Sequence, residues 1–316
     1  MTGHLRVPGP TGMSAGPGAG RIPGSLGLGA GAGAPPSPSA SSPKLLPMPN
    51  PAGDGKTKVA SDMTWKLFPG KVALGDVQQQ TLLDCTVGAL LAAHAHTETG
   101  RKKIRGMLDE HGGTVETDLS HLPDDVQIAV DKKDKPGAEA KNGEPARPKK
   151  RASSRYFTVR LGAKSVEVSP LLYTDESRDP EPVYMSSPTN ALWPCLVEKA
   201  YAQMLGDYAK LNSPNDKNAN TIWEEVTGLA PNAFKVADAT DAEILGAAKR
   251  ANHVPTIAAS IMGTTTESDL QGFHGFVLLG LAEKKLRVYD ASKLTTTSLA
   301  VEQFRANFTV VLSSAA

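Results

Sequence analysis

The composition of the first 60 residues restricts most strongly what this chain can fold into. They are rich in Gly, Pro, Ala and Ser and contain no Phe, Trp or Tyr. Such a segment buries too little apolar surface to offset the backbone entropy that folding costs. We therefore predict a disordered tail over residues 1–60 and a folded core over residues 61–316. The tail is a candidate contact for a partner that the sequence does not identify.

Charge and cysteine content narrow the classes of partner and compartment. The formal net charge is +1 and charged residues make up 21% of the chain, so no overall field favours nucleic acid or an anionic membrane. Two cysteines are too few for a disulfide scaffold. No run approaches the roughly 18 apolar residues of a spanning helix, and the N-terminus lacks the apolar run of a secretory signal. We expect a cytoplasmic protein without nucleic-acid or membrane partners, although export by a route that reads no such signal stays open.

Within the core, the hydrophobic pattern predicts an α+β fold. Helical spacing indicates helices at 85–95 and 192–205, and alternation indicates a hairpin of strands 156–161 and 164–168. Further strands are predicted at 254–261, 274–281, 286–290 and 308–312. A segment rich in charge and Pro, residues 131–154, is predicted to be a solvated insertion. We therefore expect an N-terminal helical lobe over about 61–150 and a C-terminal antiparallel, strand-rich lobe over about 155–316.

Cys85 is the first candidate for chemistry, because it stands where a loop becomes an apolar helix. A helix N-terminus favours the thiolate, which is the nucleophilic form of cysteine. Gln79, six residues earlier, can direct its amide toward a carbonyl oxygen under attack and so contribute to an oxyanion hole. Position alone, however, is more typical of a core cysteine. The second cysteine, Cys195, lies among apolar residues of the helix 192–205 and is predicted to be a buried hydrophobe.

His274 strengthens the case for Cys85. It begins a predicted strand that turns at residues 283–285 into a second strand ending at Asp290. Folding this hairpin brings Asp290 close to His274 across the ladder. A carboxylate there can accept one imidazole N–H and fix the tautomer of a general base. The sequence thus predicts a Cys85, His274 and Asp290 constellation.

Three segments together resemble the calpain family of papain-fold cysteine proteases. They are residues 75–85 (GDVQQQTLLDC), 190–202 (NALWPCLVEKAYA) and 273–278 (FHGFVL). The resemblance covers roughly residues 65–312 and implies a papain-like, two-lobed protease core with a substrate cleft between the lobes. It implies that Cys85 is the nucleophile, His274 the base and Gln79 the oxyanion donor, while Asp290 stands where the family has Asn.

The chain also departs from the family pattern. Leu83 replaces a Gly, Thr86 replaces a Trp, and the residues after Asp290 lack the family's tryptophan. We expect a cysteine endopeptidase acting on protein or peptide substrates. The sequence requires no metal or cofactor, and the resemblance alone makes calcium a candidate. Two alternatives stay open: a calpain-fold binding or scaffolding protein with impaired chemistry, and an acyl transferase of the transglutaminase type, which also uses Cys, His and Asp.

Overall fold

Helices and strands alternate irregularly along the chain, as expected for an α+β protein. The computed structural model describes residues 44–52, 58–128, 148–175, 181–211 and 219–315. Within these ranges the helices are α1 Cys85–His96, α2 Glu98–Met107, α3 Trp193–Leu205, α4 Ala219–Thr227, α5 Asp241–Arg250 and α6 Val301–Asn307. The strands are β1 Lys44–Pro47, β2 Lys58–Asp62, β3 Gln78–Gln79, β4 Leu108–Asp118, β5 Val126–Ile128, β6 Lys150–Leu161, β7 Lys164–Val168, β8 Leu171–Thr174, β9 Met185–Ser186, β10 Asn232–Lys235, β11 Thr256–Ser260, β12 Gly275–Ala282, β13 Lys285–Asp290, β14 Thr295–Leu299 and β15 Phe308–Ser313.

The described strands form four sheets. The largest has six strands in the order β10-β15-β11-β12-β13-β14, all paired antiparallel. A four-stranded sheet has the order β1-β4-β6-β7, a three-stranded sheet the order β5-β2-β8, and β3 pairs with β9. The six-stranded sheet is built entirely from residues C-terminal to α4, whereas the smaller sheets come from residues that precede α3.

Within the six-stranded sheet, the central strand β12 is buried on both faces over most of its length. Its alternating side chains divide between two apolar clusters: Phe276 and Leu278 join a cluster with α5 and α6, while Val277 and Leu279 join the cluster around α1 and α3. A strand covered on both sides reads as a continuous apolar run. This packing places the start of β12 against the start of α1.

Helix α1 is buried on most of its surface because nearly every residue after Thr86 is apolar. It ends at a tight corner, where Thr97 caps α2 by accepting a hydrogen bond from the Gly100 N–H at 3.1 Å. A Cβ at Gly100 would lie 2.2 Å from the His94 carbonyl oxygen, so glycine is required there. None of the helices in the described ranges is long and apolar enough to cross a membrane.

Several predicted elements are confirmed: the helices at α1 and α3, the β6–β7 hairpin, and the strands β11, β12, β13 and β15. The hairpin turn between β12 and β13 is Glu283-Lys284, with both residues at positive φ. The mixed helix and sheet content confirms the α+β class.

The predicted tail boundary near residue 60 is wrong for the segment just before it. Strand β1 pairs with β4, and β2 begins at Lys58. Met48 is buried, and the Pro49 carbonyl accepts a hydrogen bond from the Tyr173 hydroxyl at 2.9 Å. A few buried apolar residues suffice to anchor this segment, although its composition is unfavourable. The rest of the predicted tail, residues 1–43, lies outside the described residues.

The prediction of a helical N-terminal lobe ending near residue 150 is also wrong. In the part of the chain that the structure describes, nine strands precede α3. The pairing of β4 with β6 crosses the expected seam between lobes, and residues 150–154 of the predicted insertion belong to β6. The pattern concealed β4 because glycines interrupt it at 112–113 and one of its faces is polar. Residues 131–147 of the insertion lie outside the described residues.

Candidate active site

The site forms where the first turn of α1 meets the start of β12. A Cβ at Gly275 would lie 2.9 Å from the Cys85 carbonyl oxygen, closer than side-chain carbons normally approach. Glycine therefore allows β12 to reach the N-terminus of α1. This close approach brings the preceding residue, His274, beside Cys85.

His274 and Asp290 are joined by a direct hydrogen bond. The His274 Nε2 atom lies 3.0 Å from Asp290 Oδ1, and both side chains are buried. The Cys85 thiol is hydrogen-bonded to the same imidazole. Since Nε2 faces Asp290, Nδ1 is the ring nitrogen left for the thiol. The structure thus brings together Cys85, His274 and Asp290, which are separated by up to 205 positions in the chain.

The turn after β13 fixes the Asp290 carboxylate. Oδ1 accepts hydrogen bonds from the Ser292 N–H at 2.8 Å, the Ser292 hydroxyl at 2.6 Å and the Lys293 N–H at 3.3 Å. Burial works to raise the pKa of Asp290, but the hydrogen bonds from His274 and Ser292 outweigh it and hold the pKa below its usual range. The sequence reasoning missed Ser292, although an Asp followed two residues later by Ser is typical of such turns.

Hydrogen bonds to the main chain also orient His274. The backbone N–H of His274 donates a hydrogen bond to the Ser260 hydroxyl oxygen at 2.8 Å. The Ser260 hydroxyl in turn donates to the Gln271 carbonyl at 2.8 Å. The neighbouring Phe273 has φ 56°, a left-handed conformation that is rare for a bulky residue. Ser260 carried no sequence signal, because its role depends on the pairing of β11 with β12.

The imidazole is held in its charged form. Burial by itself lowers the pKa of His274, but the hydrogen bonds with Asp290 and Cys85 and their negative charges outweigh it and raise the pKa to about 9. His274 is therefore an imidazolium at neutral pH. A neighbouring imidazolium stabilises the thiolate of a cysteine.

Gln79 lies close to the site but its amide is engaged elsewhere. Its Nε2 donates a hydrogen bond to the Leu82 carbonyl at 2.6 Å, and its backbone N–H donates to the Ala291 carbonyl at 3.2 Å. One of the two amide hydrogens is thus used within the loop that leads to Cys85. The backbone bond ties β3 to the turn that holds Asp290.

A cavity of about 450 Å³ opens beside Cys85 and His274. Its walls are mainly apolar and include Tyr201, Leu205, Leu211, Ile222 and Val310. Three exposed apolar side chains also line it: Leu83, Met262 and Phe273. The space beside the thiol therefore suits an extended ligand with an apolar side chain.

The second cysteine has no place in this site. Cys195 is buried in α3 and donates a hydrogen bond to the Met185 carbonyl at 3.0 Å. Burial raises the pKa of the Cys195 thiol well above its usual value. This confirms the prediction that Cys195 is a buried residue. Across the described ranges, no group of three or more His, Cys, Asp and Glu side chains is arranged to hold a metal ion.

Comparison with known families gives one match. Residues 158–297 match the sequence profile of the calpain family of cysteine proteases. The matched segment contains α3, His274 and Asp290 but not Cys85 or Gln79. It confirms the resemblance drawn from the motifs over that range. No curated protein matches the chain.

Proposed function

We propose that this chain, whose residues 158–297 match the calpain family of cysteine proteases, is an endopeptidase that cleaves peptide bonds through Cys85, His274 and Asp290. The observation that carries the proposal is the continuous contact from Asp290 through His274 to Cys85, at the mouth of an apolar cavity. Acid, base and nucleophile in such contact are what acyl transfer requires.

The first half of the reaction uses the thiolate and the imidazolium together. The Cys85 sulfur attacks the peptide carbonyl carbon, forming a C–S bond while the carbonyl oxygen becomes negative. When the tetrahedral intermediate collapses, the C–N bond breaks and the amine leaves with the proton of His274 Nδ1. Asp290 remains ionised throughout and keeps the ring oriented, because its hydrogen bond occupies Nε2.

The second half releases the acyl group. The now neutral His274 takes a proton from water, the hydroxyl adds to the thioester carbonyl, and the C–S bond breaks to regenerate the thiolate. The Cys85 backbone N–H and the second amide hydrogen of Gln79 would stabilise both oxyanions. None of these steps uses calcium.

The fold proposed for this activity is papain-like and two-lobed. The cleft would lie between the segment bearing α1 and α3 and the six-stranded sheet bearing His274. Substrates would be proteins or peptides, and the apolar walls of the cavity favour an apolar side chain next to the cleaved bond. Peptide libraries should therefore be cleaved preferentially beside Leu, Val or Phe rather than beside charged residues.

The test is peptide hydrolysis by matched cysteine variants. Cys85→Ala should abolish turnover, while Cys195→Ala, the control that removes the buried thiol, should retain it. Turnover in pure Cys85→Ala protein would refute the assignment. A rate of amine incorporation higher than the rate of hydrolysis would identify the protein as an acyl transferase and not a protease. Loss of both activities, with Cys85 inert toward iodoacetamide, would identify a binding or scaffolding protein.

A further inference from the structure

Asp84, the residue before Cys85, occupies the N-cap of α1 without capping it. An Asp at this position usually accepts a hydrogen bond from a backbone N–H of the first turn. Here the side chain makes no capping bond and is only 4% exposed. Among the described residues, no N–H or hydroxyl group of another residue bonds either carboxyl oxygen, and only the N–H of Asp84 itself lies close enough to favour the carboxylate. Something other than capping must therefore satisfy this carboxyl group.

The partner of Asp84 is Glu198 of α3. The two carboxyl groups lie within reach of each other. Glu198 is only 2% exposed, and its Oε1, like both carboxyl oxygens of Asp84, has no N–H or hydroxyl partner among the described residues. Glu198 Oε2 also accepts the Met185 N–H at 3.0 Å. Met185 pairs with Gln79 through the β3–β9 ladder. Glu198 of α3 therefore reaches both the N-cap of α1 and β9, the strand that pairs with the strand carrying Gln79.

A hydrogen bond between two carboxyl groups requires a proton on one of them. Two buried carboxylates in contact cannot both stay ionised, because burial and the repulsion between like charges both oppose the second ionisation. Burial, followed by the charge of Asp84, raises the pKa of Glu198 well above its usual value, while burial raises that of Asp84 to about 6. Glu198 thus holds the proton and donates it to Asp84. His274 faces Asp84, and Cys195 and Tyr208 face Glu198.

We infer that Asp84 and Glu198 are a proton-sharing positioning pair that holds the first turn of α1, and with it Cys85, against His274. The single shared proton leaves one negative charge beside the thiolate. Loss of the shared proton at alkaline pH would add a second buried negative charge beside Cys85 and loosen the contact between α1 and α3. The inference rests on the proposed role of Cys85 as nucleophile.

Three variants of the full chain separate positioning from simple packing. Glu198→Gln mimics the protonated acid, since its amide can donate to Asp84 while its oxygen accepts the Met185 N–H. Glu198→Leu keeps similar bulk but leaves Asp84 without a donor. Glu224→Gln, on the exposed face of α4, is the control. The readouts are the rate of iodoacetamide alkylation at Cys85, assigned by peptide mass, and the melting temperature, both measured from pH 5 to 9.5.

In Glu198→Gln, we expect Cys85 to be alkylated within about twofold of the native rate at pH 7. As pH rises, the ratio of the variant's alkylation rate to the native rate should increase. Its melting temperature should also rise relative to the native protein above pH 5, because unfolded Glu198 ionises near its ordinary pKa whereas the folded residue must keep its proton. Glu198→Leu should lose tenfold or more of the alkylation rate. Glu224→Gln should match the native protein.

Two results would overturn the inference. One is that the alkylation rate and the melting temperature of Glu198→Gln equal those of the native protein at every pH. The other is that Glu198→Gln loses as much of the alkylation rate at pH 7 as Glu198→Leu does. Because alkylation requires no peptide substrate, failure of the proposed function is seen separately. In that case Cys85 would alkylate with the expected dependence on Glu198 while peptides remain uncleaved.

Discussion

At the scale of single residues, the charge of His274 depends on Asp290. Burial alone favours the neutral imidazole, and the hydrogen bond from Nε2 to Asp290 Oδ1 is the first of the interactions that reverse this preference. Because the pKa of His274 is higher in the folded protein, protonation of His274 stabilises the fold. This stabilisation is complete below the pKa of about 6.5 in the unfolded chain and is lost as pH rises through the folded pKa of about 9. The lowered pKa of Asp290 contributes above about 3.8 and is lost in acid. The pair therefore stabilises most between about pH 4 and 6.5.

Replacing Asp290 with Asn should shift the pH dependence of activity. Asn can still accept the Ser292 hydrogen bonds but carries no charge, so the pKa of His274 should fall toward its ordinary value. The alkaline limb of kcat/KM should move down from near pH 9 by at least one unit. Unfolding should require roughly 2 kcal/mol less near pH 6, and the loss should shrink above pH 9. An unchanged alkaline limb would show that Asp290 does not tune His274.

Gln79 permits a second test at this scale. If its free amide hydrogen contacts the oxyanion, Gln79→Ala should lower kcat about 10²- to 10³-fold with little change in KM. Gln80→Ala is the matched control, since the Gln80 amide bonds Glu181 at 3.2 Å and Gln80 does not line the cavity beside Cys85. Equal kcat in the two variants would exclude Gln79 from the oxyanion hole.

At the scale of elements, the contact between α1 and β12 places the nucleophile. Gly275→Ala should push the two elements apart, because the added Cβ would lie 2.9 Å from the Cys85 carbonyl oxygen. We expect at least a tenfold loss of Cys85 alkylation. Gly246→Ala in α5 is the control: its Cβ finds ordinary space 3.5 Å from Arg250, and it should stabilise the helix by up to about 1 kcal/mol. Native reactivity in Gly275→Ala would contradict this account of the site.

The same contact shows what the sequence could and could not predict. The apolar run of α1 and the alternation of the β12–β13 hairpin are local patterns, so Cys85, His274 and Asp290 could be placed together in advance. Ser260 and Glu198 act through packing between elements distant in the chain, which no local period encodes. Strand β4 was missed for a different reason, because its glycines and polar face conceal the alternation.

At the scale of the whole molecule, the prediction from composition placed the start of the folded part too late in the chain, because β1 already begins at Lys44. Residues 44–52 lie in a Pro-rich region, yet Met48 is only 1% exposed in the larger apolar cluster. Met48→Ala should lower the free energy of unfolding by about 2–4 kcal/mol. Leu45→Ala is the control, since Leu45 is 47% exposed and its truncation should cost less than about 0.5 kcal/mol. Equal melting temperatures would show that this segment adds nothing to the fold.

The central claim is that Cys85 is a nucleophile activated by His274, and covalent trapping tests it most directly. A peptidyl epoxide incubated with the native protein should label Cys85 and leave Cys195 unmodified, as assigned by peptide mass. His274→Ala should slow this labelling at least 100-fold while leaving the fold intact by circular dichroism. Labelling of Cys195, or an unchanged rate at Cys85 in His274→Ala, would contradict the account.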